Sequence, residues 1–324
     1  MMTYMGNPRR HHYVPRSYLA GFTQTGKKDG RLCVLDKSDG RSWHSNPRDS
    51  ACKRDLYAPE DLGGGGGVDA QEIEQTFGII EGAYTQAIGA VLESGIMPIS
   101  GDSRENLMLF LAAQHTRVPG VTEVLDDVTN RLMSAAASFM TATPETWADH
   151  ADGSPGSDIP YERVRALVQS GECQWELGQN ERLAMQLGFV EPIAKALDKR
   201  QWSVVHAVDR APDFMTSDRP LSVSWTHPQK HADYAPGIGL SQTTVMFPIS
   251  KRVALLGMFE GVLPTKEATS AMVGIVNMWT GLSATKYVFS AAQDFQVTLP
   301  DLRMGGREEF LAIVRGGRSA QETK

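Results

Sequence analysis

Cysteine is scarce in this chain. Only Cys33, Cys52 and Cys173 occur, widely scattered, so they form neither a disulfide framework nor a CxxC zinc pattern. Long apolar runs are missing too. No stretch of roughly 18 apolar residues is present, and no membrane span is expected. The first residues lack the apolar core of a secretory signal. A reduced, cytoplasmic protein is the expectation. Basic charge is not in excess, with 32 Lys and Arg against 38 Asp and Glu and a formal charge of −6. That balance argues against broad phosphate-backbone binding while leaving room for a local basic groove. Familiar catalytic signatures are also lacking. The glycine run Gly63–Gly67 is not followed by GK[ST], so it reads as a surface loop rather than a phosphate cradle. Ser217 has no Gly-x-Ser-x-Gly elbow around it, which removes the serine-hydrolase reading. His227 and His231 have zinc-helix spacing, but Pro228 between them makes a loop.

What is present begins with size. The chain has 324 residues, 41% of them apolar, enough to bury a full core. Its densest chemistry lies at the start, in His11-His12-Tyr13-Val14-Pro15-Arg16-Ser17-Tyr18-Leu19-Ala20-Gly21-Phe22. Pro15 bars a regular helix through the histidines and keeps Val14 extended. Tyr18, Leu19 and Phe22 then recur at helical spacing, so one amphipathic turn anchors the segment. The histidines stand at the lip of something, with an apolar plug below.

Downstream, Arg31–Asp36 and Arg41–His44 read as a hairpin around Lys37-Ser38-Asp39-Gly40. Asp55-Leu56-Tyr57 is expected to close this small β-layer. Asp69 is placed to cap a helix to about Ser94, with Ile73, Phe77, Ile80, Tyr84 and Ile88 on one face. Glu74 and Glu81 lie seven apart and nearly align, with Glu74 at the edge of the apolar stripe. Asp102 or Ser103 caps the next helix, which Pro119-Gly120 ends. Val121–Met140 is a further helix and residues 141–160 read as a loop or lid. Helices over Tyr161–Gln169 and about Gln179–Lys199 follow. At Gln201 the period changes to two. Strands are expected over Trp202–Val208, Asp213–Asp218, Leu221–Trp225, Thr243–Phe247, Arg252–Met258 and Tyr287–Phe289, with a helix over Lys266–Gly281. From about Gly316 the tail reads as disordered. The expected fold class is α+β: a small N-terminal β-layer, a helical middle (69–199) and a mainly antiparallel C-terminal sheet (200–300) in one composite domain.

Each candidate chemical group carries a structural reading beside the functional one. His12 can act as a general base, a metal ligand or a phosphate contact, or can be held by a backbone carbonyl near Pro15. His11 either contacts substrate or is solvated. Gln114 and Arg117, at i and i+3, share a helix face; Arg117 can clamp a phosphate or carboxylate, or satisfy terminal carbonyls. His115 points about 100° away from that face. Asp218 follows Thr216 and Ser217 at a strand end, where a ligating carboxylate or an Asx-turn both fit. Trp202 and Phe247 are expected in the core. No local spacing carries a metal motif. A divalent metal can be assembled only across the fold, from His12, Glu74 and Asp218.

The histidine run, followed by Tyr18-Leu19-x-x-Phe22, resembles a bacterial and fungal family of unknown function marked by an N-terminal HYVP motif. Gln114-x-x-Arg117-x-Pro119, then Trp202 leading to Thr216-Ser217-Asp218-Arg219-Pro220, then Phe247-Pro248-Ile249-Ser250, follow that pattern in order and spacing. Where the pattern usually has Asn, this chain has Arg219. The resemblance implies a shared site rather than a named reaction.

Three readings stay open. One is a hydrolytic enzyme, nuclease-like or directed at a phosphoester or amide. In it His12, Asp218 and Glu74 are catalytic or metal-bound, and Gln114, Arg117, Ser217 and His11 hold a small-molecule or nucleic-acid substrate. Another is a non-catalytic binding module of a defence or toxin-like system, in which these residues form a structural network. The third is a small-molecule transferase with its substrate under residues 141–160. Oligomeric state is left open.

Overall fold

The computed structural model describes residues 10–54, 56, 70–97, 101–151, 159–175, 177–227, 234–261, 263 and 266–321, with the side chains of 70–74, 77 and 317–321 left aside. Strand β1 (Arg10–His12) pairs antiparallel with β4 (Cys52–Arg54), and His12 faces Cys52 across the ladder. The strand that closes the N-terminal layer is therefore β4; Asp55 and Tyr57 lie outside the described residues. Pro15 stands extended at φ −60°, ψ 143° and launches α1 (Arg16–Ala20). Its ring fixes that φ, which is why the chain turns from strand to helix there. Strands β2 (Leu32–Asp36) and β3 (Ser42–Ser45) form the expected hairpin.

The middle is helical: α2 (Ala70–Ser94), α3 (Asp102–Thr116), α4 (Pro119–Met140), α5 (Pro144–Ala151), α6 (Tyr161–Ser170) and α7 (Gln179–Asp198). Helix α3 packs against both α2 and α7. Leu107, Met108, Phe110, Leu111, Ala112 and Ala113 are all buried along it, as expected of a helix covered on more than one side. Three expectations change here. The N-cap of α3 is Gly101, at φ 80°, rather than Asp102 or Ser103; Asp102 instead lies in the first turn, where its charge complements the helix dipole. Pro119 opens α4 rather than ending α3, since its missing N–H costs nothing at a first helical position. Residues 144–151 are helical rather than a loop, with Pro144 and Glu145 suited to a helix start. Gly63–Gly67, Asp69 and His231 lie outside the described residues.

Strands β5 (Gln201–Ala207), β6 (Thr216–Ser217), β7 (Ser222–Trp225), β8 (Thr243–Ser250), β9 (Val253–Met258), β10 (Glu267–Ala268) and β11 (Tyr287–Ser290) follow, with α8 (Ser270–Ser283) before β11. One sheet runs β10-β5-β9-β8-β7, antiparallel except for the β10–β5 pair. A second runs β3-β2-β11-β6 and joins the N-terminal hairpin to the C-terminal half, Val34 opposite Phe289. The fold is α+β, mostly antiparallel. After β12 (Val297–Thr298) and β13 (Met304–Gly305), the chain ends in α9 (Arg307–Gln321), where a disordered tail from Gly316 was expected. Buried Phe310, Leu311 and Val314 hold the first turns of α9 on a core with Phe295 and Val297. Among the described residues no helix is long and apolar enough to cross a membrane.

Tyr18 knits these parts together. Its ring lies among Phe22, Tyr84, Phe110 and Phe247, with centroids 5.2 to 6.5 Å away. Tyr84 and Phe110 stack at 3.4 Å, joining α2 to α3. The Tyr18 hydroxyl donates to the Pro248 carbonyl at 2.7 Å and meets Thr216 Oγ1 at 2.7 Å. Pro248 presents that carbonyl because β7 has stopped pairing at Met246 and β8 bulges between Pro248 and Ser250, where a proline is tolerated in a sheet. Gly21 allows the close approach beside it, since a Cβ there would crowd the Ile249 carbonyl oxygen at 3.0 Å. Burial pushes the Tyr18 hydroxyl well above its usual pKa, so it stays protonated and able to donate. Tyr18→Phe leaves the Pro248 carbonyl and Thr216 hydroxyl buried without it. Urea denaturation is expected to register a loss of about 1–3 kcal/mol with the fold retained.

Candidate functional site

Arg117 follows the last residue of α3, and it is 2% exposed. A guanidinium buried this deeply must have its donors satisfied, because an unpaired buried charge is costly. Nε donates to the Tyr13 carbonyl at 2.8 Å, and Nη1 to Glu81 Oε1 at 2.8 Å. With its amide oxygen turned inward, Gln114 accepts from Nη2 at 2.8 Å and from Nε at 2.7 Å. Arg117 thus joins the N-terminal segment, α2 and its own helix. Gln114 is itself fully buried. The helical i, i+3 spacing did bring the pair together, but toward the interior.

Asp218 is held in the same manner with opposite sign. It lies just past β6, buried, and accepts from three backbone amides: Thr285 at 2.8 Å on Oδ1, then Lys286 at 2.7 Å and Tyr287 at 2.8 Å on Oδ2. Burial pushes its carboxyl up from the ordinary value, and the three amides pull against that. Its own amide returns a bond to the Tyr287 carbonyl at 2.9 Å. Ser217 Oγ donates to the Arg219 carbonyl at 2.8 Å and receives the Arg219 amide at 3.1 Å, a local turn. Asp218, through those amides, locks the end of β6 onto the start of β11.

The histidines separate by face. His11 is buried on one side of β1, and His12 is half-buried on the other. His12 Nε2 meets the Arg48 carbonyl at 2.9 Å. A carbonyl only accepts, so Nε2 carries the proton and Nδ1 presents a lone pair. No partner for Nδ1 occurs among the described residues. Burial lowers the proton affinity of His12; the Arg48 carbonyl and the nearby Glu81 oppose that, while Arg16 and Arg10 add to it. Glu81, the partner of Arg117, lies close enough for its charge to act on His12, and Asp49 pairs with Arg10 at 3.2 Å. The Glu74 side chain lies outside those described. Among the described residues no three His, Cys, Asp or Glu side chains converge to hold a metal.

Two groups to which the sequence assigned no role are His115, near the end of α3, and Arg219, just past β6. His115 is largely buried, and its Nδ1 has no hydrogen-bond partner. Burial first, and the charge of Arg219 second, lower its pKa to about 4. Arg219, half-buried, is lowered too by burial, with Asp218 opposing. Between β4 and the helices α4 and α7 opens a polar cleft of about 310 Å³, lined by Lys53, Arg54, Thr122, Asp126, Arg182 and Gln186 among others. Arg182 pairs with Asp126 at 2.9 Å within it. Arg117 does not line it. A larger apolar cavity of about 720 Å³ lies elsewhere, between the β7–β8–β9 face and α8.

All four sequence pieces of the expected pattern meet around Tyr18 and α3. Residues 10–294 match the model of a family described as Protein of unknown function (DUF4238). The chain belongs to that family. No curated protein and no solved structure matches it. The match takes in His12, Arg117, Asp218 and Tyr287 and stops before β12, β13 and α9.

Glu81 carried a signal in the sequence. It stands three before Tyr84 and seven before Ile88, inside the apolar stripe, where a charge needs a partner. His115 carried none, because an imidazole on a helix has no signature of burial. Its titration is testable. A histidine with a pKa of about 4 folded and 6.5 unfolded binds its proton more tightly in the unfolded chain. Stability is then complete above 6.5 and is lost as pH falls toward about 4. The loss amounts to about 3 kcal/mol at most. Melting curves from pH 7 to 4 are expected to fall less steeply for His115→Gln than for the wild type; equal slopes would contradict the assignment.

Proposed function

We propose that the chain is a hydrolase, acting on a phosphoester or amide, with His12 as its general base. The observation that carries this reading is the one-sided tether of His12: Nε2–H fixed on the Arg48 carbonyl, Nδ1 open, and burial keeping the ring neutral near pH 7. A base oriented by a carbonyl and free at its second nitrogen is suited to take a proton from water. The strand paired with β1 carries Lys53 and Arg54 into a polar cleft that also holds Glu123 and Asp126 and that His12 does not itself line. Arg117, Gln114, Glu81 and Asp218 then serve as positioning residues, since their polar atoms already meet protein groups. A divalent metal on His12, Glu74 and Asp218 fits this arrangement poorly, because Asp218 Oδ2 already accepts two amides. In the same reading, the family is the one marked by His12-Tyr13-Val14-Pro15, and the protein works in the cytoplasm.

A second reading, a non-catalytic binding module, draws on a different observation. Arg117 is held by the Tyr13 carbonyl and the Glu81 and Gln114 side chains, and Asp218 by three backbone amides, as parts of a structural network would be.

Turnover of an activated phosphodiester and of an activated anilide, followed with wild type and His12→Ala, separates the two. The hydrolase reading expects His12→Ala to lose about 10²–10⁴-fold in rate while melting within a few degrees of wild type. Because the neutral imidazole is the active form, rate should rise with pH along a limb centred below 6.5. Turnover unaffected by His12→Ala, or none on either substrate class, would favour the binding module.

A further inference from the structure

Helix α4 turns its polar side to the protein and its apolar side to water. Thr122 Oγ1 accepts from Gln186 Nε2 at 2.9 Å, and Asp126 Oδ1 from Arg182 Nε at 2.9 Å. Asn130 Oδ1 accepts from the Trp175 amide at 2.8 Å. Val124, Val128 and Leu132 each follow one of these residues by two positions, so they stand about 200° around the helix. Ala135 and Phe139 continue the row at steps of three and four. Val124 is 54% exposed, Val128 46%, Leu132 65% and Phe139 68%. A surface helix ordinarily does the reverse and gives its apolar stripe to the core. Helices α5 and α6 touch α4 but leave this row uncovered. Along α4 itself only Gly120 is buried, and α6 buries none of its residues. A continuous apolar row in water marks a surface that a partner covers.

The charges of α4 say which partner. They are Glu123, Asp126, Asp127 and Arg131, so all lie before Leu132. Asp127 pairs with Arg131 at 2.9 Å, and Asp126 with Arg182. From Leu132 to Met140 the helix carries no charge. Acidic groups outnumber the single arginine, whereas helices that lie on anionic lipid are rich in Lys and Arg. A second copy of α4 meets no such objection if it runs antiparallel and crosses between Ala135 and Ala136. Leu132 then stands opposite Phe139 of the partner subunit, and Phe139 opposite Leu132 of the partner subunit. Each Arg131 lies about 13 Å along the axis from its own copy, beyond a screening length of roughly 8 Å. The acidic residues lie further apart still. A parallel pair would instead set every charge beside its copy.

We propose that two copies of this chain associate through α4, antiparallel about a two-fold axis at Ala135–Ala136. Such an isologous contact uses one patch twice. Alanines at the crossing let the two axes approach closely. A single pair of helices buries less than the roughly 1,600 Å² of a standard interface, so the dimer is reversible. The row takes no part in the hydrolytic reading of His12, and either can fail without the other.

Sedimentation of the full chain over a range of concentrations is the test. The wild type should pass from one chain to two as concentration rises. Leu132→Glu should weaken that association at least tenfold. Where the wild type is monomeric, this variant should melt no lower, because Leu132 is 65% exposed in the single chain. A wild type that stays monomeric up to roughly 0.1 mM, an unchanged association in Leu132→Glu, or a lower melting point for its monomer would overturn the proposal. Wild type that stays monomeric yet binds phosphatidylcholine vesicles, with Leu132→Glu released from them, would overturn it in favour of a lipid surface. The arrangement is read with a short bifunctional maleimide in a Cys52→Ser, Cys173→Ser background. Ala135→Cys should link to itself across the two-fold axis. Val124→Cys should not, being about 34 Å along the axis from its copy. Self-linking of Val124→Cys, or none by Ala135→Cys, would overturn the antiparallel pairing.

Discussion

A guanidinium 2% exposed cannot be tolerated unless its surroundings are built for it, and much of this structure follows from satisfying Arg117. Its bond to the Tyr13 carbonyl requires the N-terminal segment to lie extended across the end of α3. Its ion pair with Glu81 requires α2 to pass close by. Gln114 must turn its oxygen inward, one helical turn before. Removing any one partner leaves part of a buried charge uncompensated, so the group acts as a unit. The position of His12, one residue before Tyr13, depends on it.

The same device recurs with the sign reversed at Asp218. There a buried carboxylate gathers three successive amides at the start of β11 and fixes the end of β6. At Asp218 the charge is answered by backbone amides, whereas Arg117 combines the Tyr13 carbonyl with the Glu81 and Gln114 side chains. Backbone partners hold their geometry without the rotamer entropy of a second long side chain. Such residues serve as staples between segments distant in sequence. Tyr18, reaching Thr216 and Pro248, is the uncharged member of the set. What remains outside this economy is His12, with one nitrogen held and one open.

Much of the fold was legible in the residues. Pro15 dictated the strand-to-helix step, the change of period at Gln201 marked the turn from helices to sheet, and alternation located β5, β8 and β9. Misreadings have physical causes. Pro119 was taken as a stop, because proline's effect depends on whether it stands at the last or the first turn. The terminal helix α9 was missed because its short apolar set, Phe310, Leu311 and Val314, gives way to a polar end. The roles of the candidate site residues were not legible. Gln114 and Arg117 meet the N-terminal segment and α2, whereas Ser217 and Asp218 lie where β6 meets β11; each is turned inward, which no spacing reveals. Glu81 was visible as a charge within an apolar stripe, whereas the unpartnered Nδ1 of His115 follows only from tertiary contacts.

Hydrogen exchange on Arg117→Lys examines the dependence on this guanidinium most directly. Lysine keeps the charge but not the fork, so the Tyr13 carbonyl, Glu81 and Gln114 cannot all be served. Amides of residues 11–14, including the Tyr13 N–H that bonds the Ala51 carbonyl at 3.0 Å, should exchange at least about tenfold faster. Amides of β8 and β9 should keep their protection. Unchanged exchange at residues 11–14 would mean that the N-terminal segment is held by its apolar contacts alone and that Arg117 does not govern the junction.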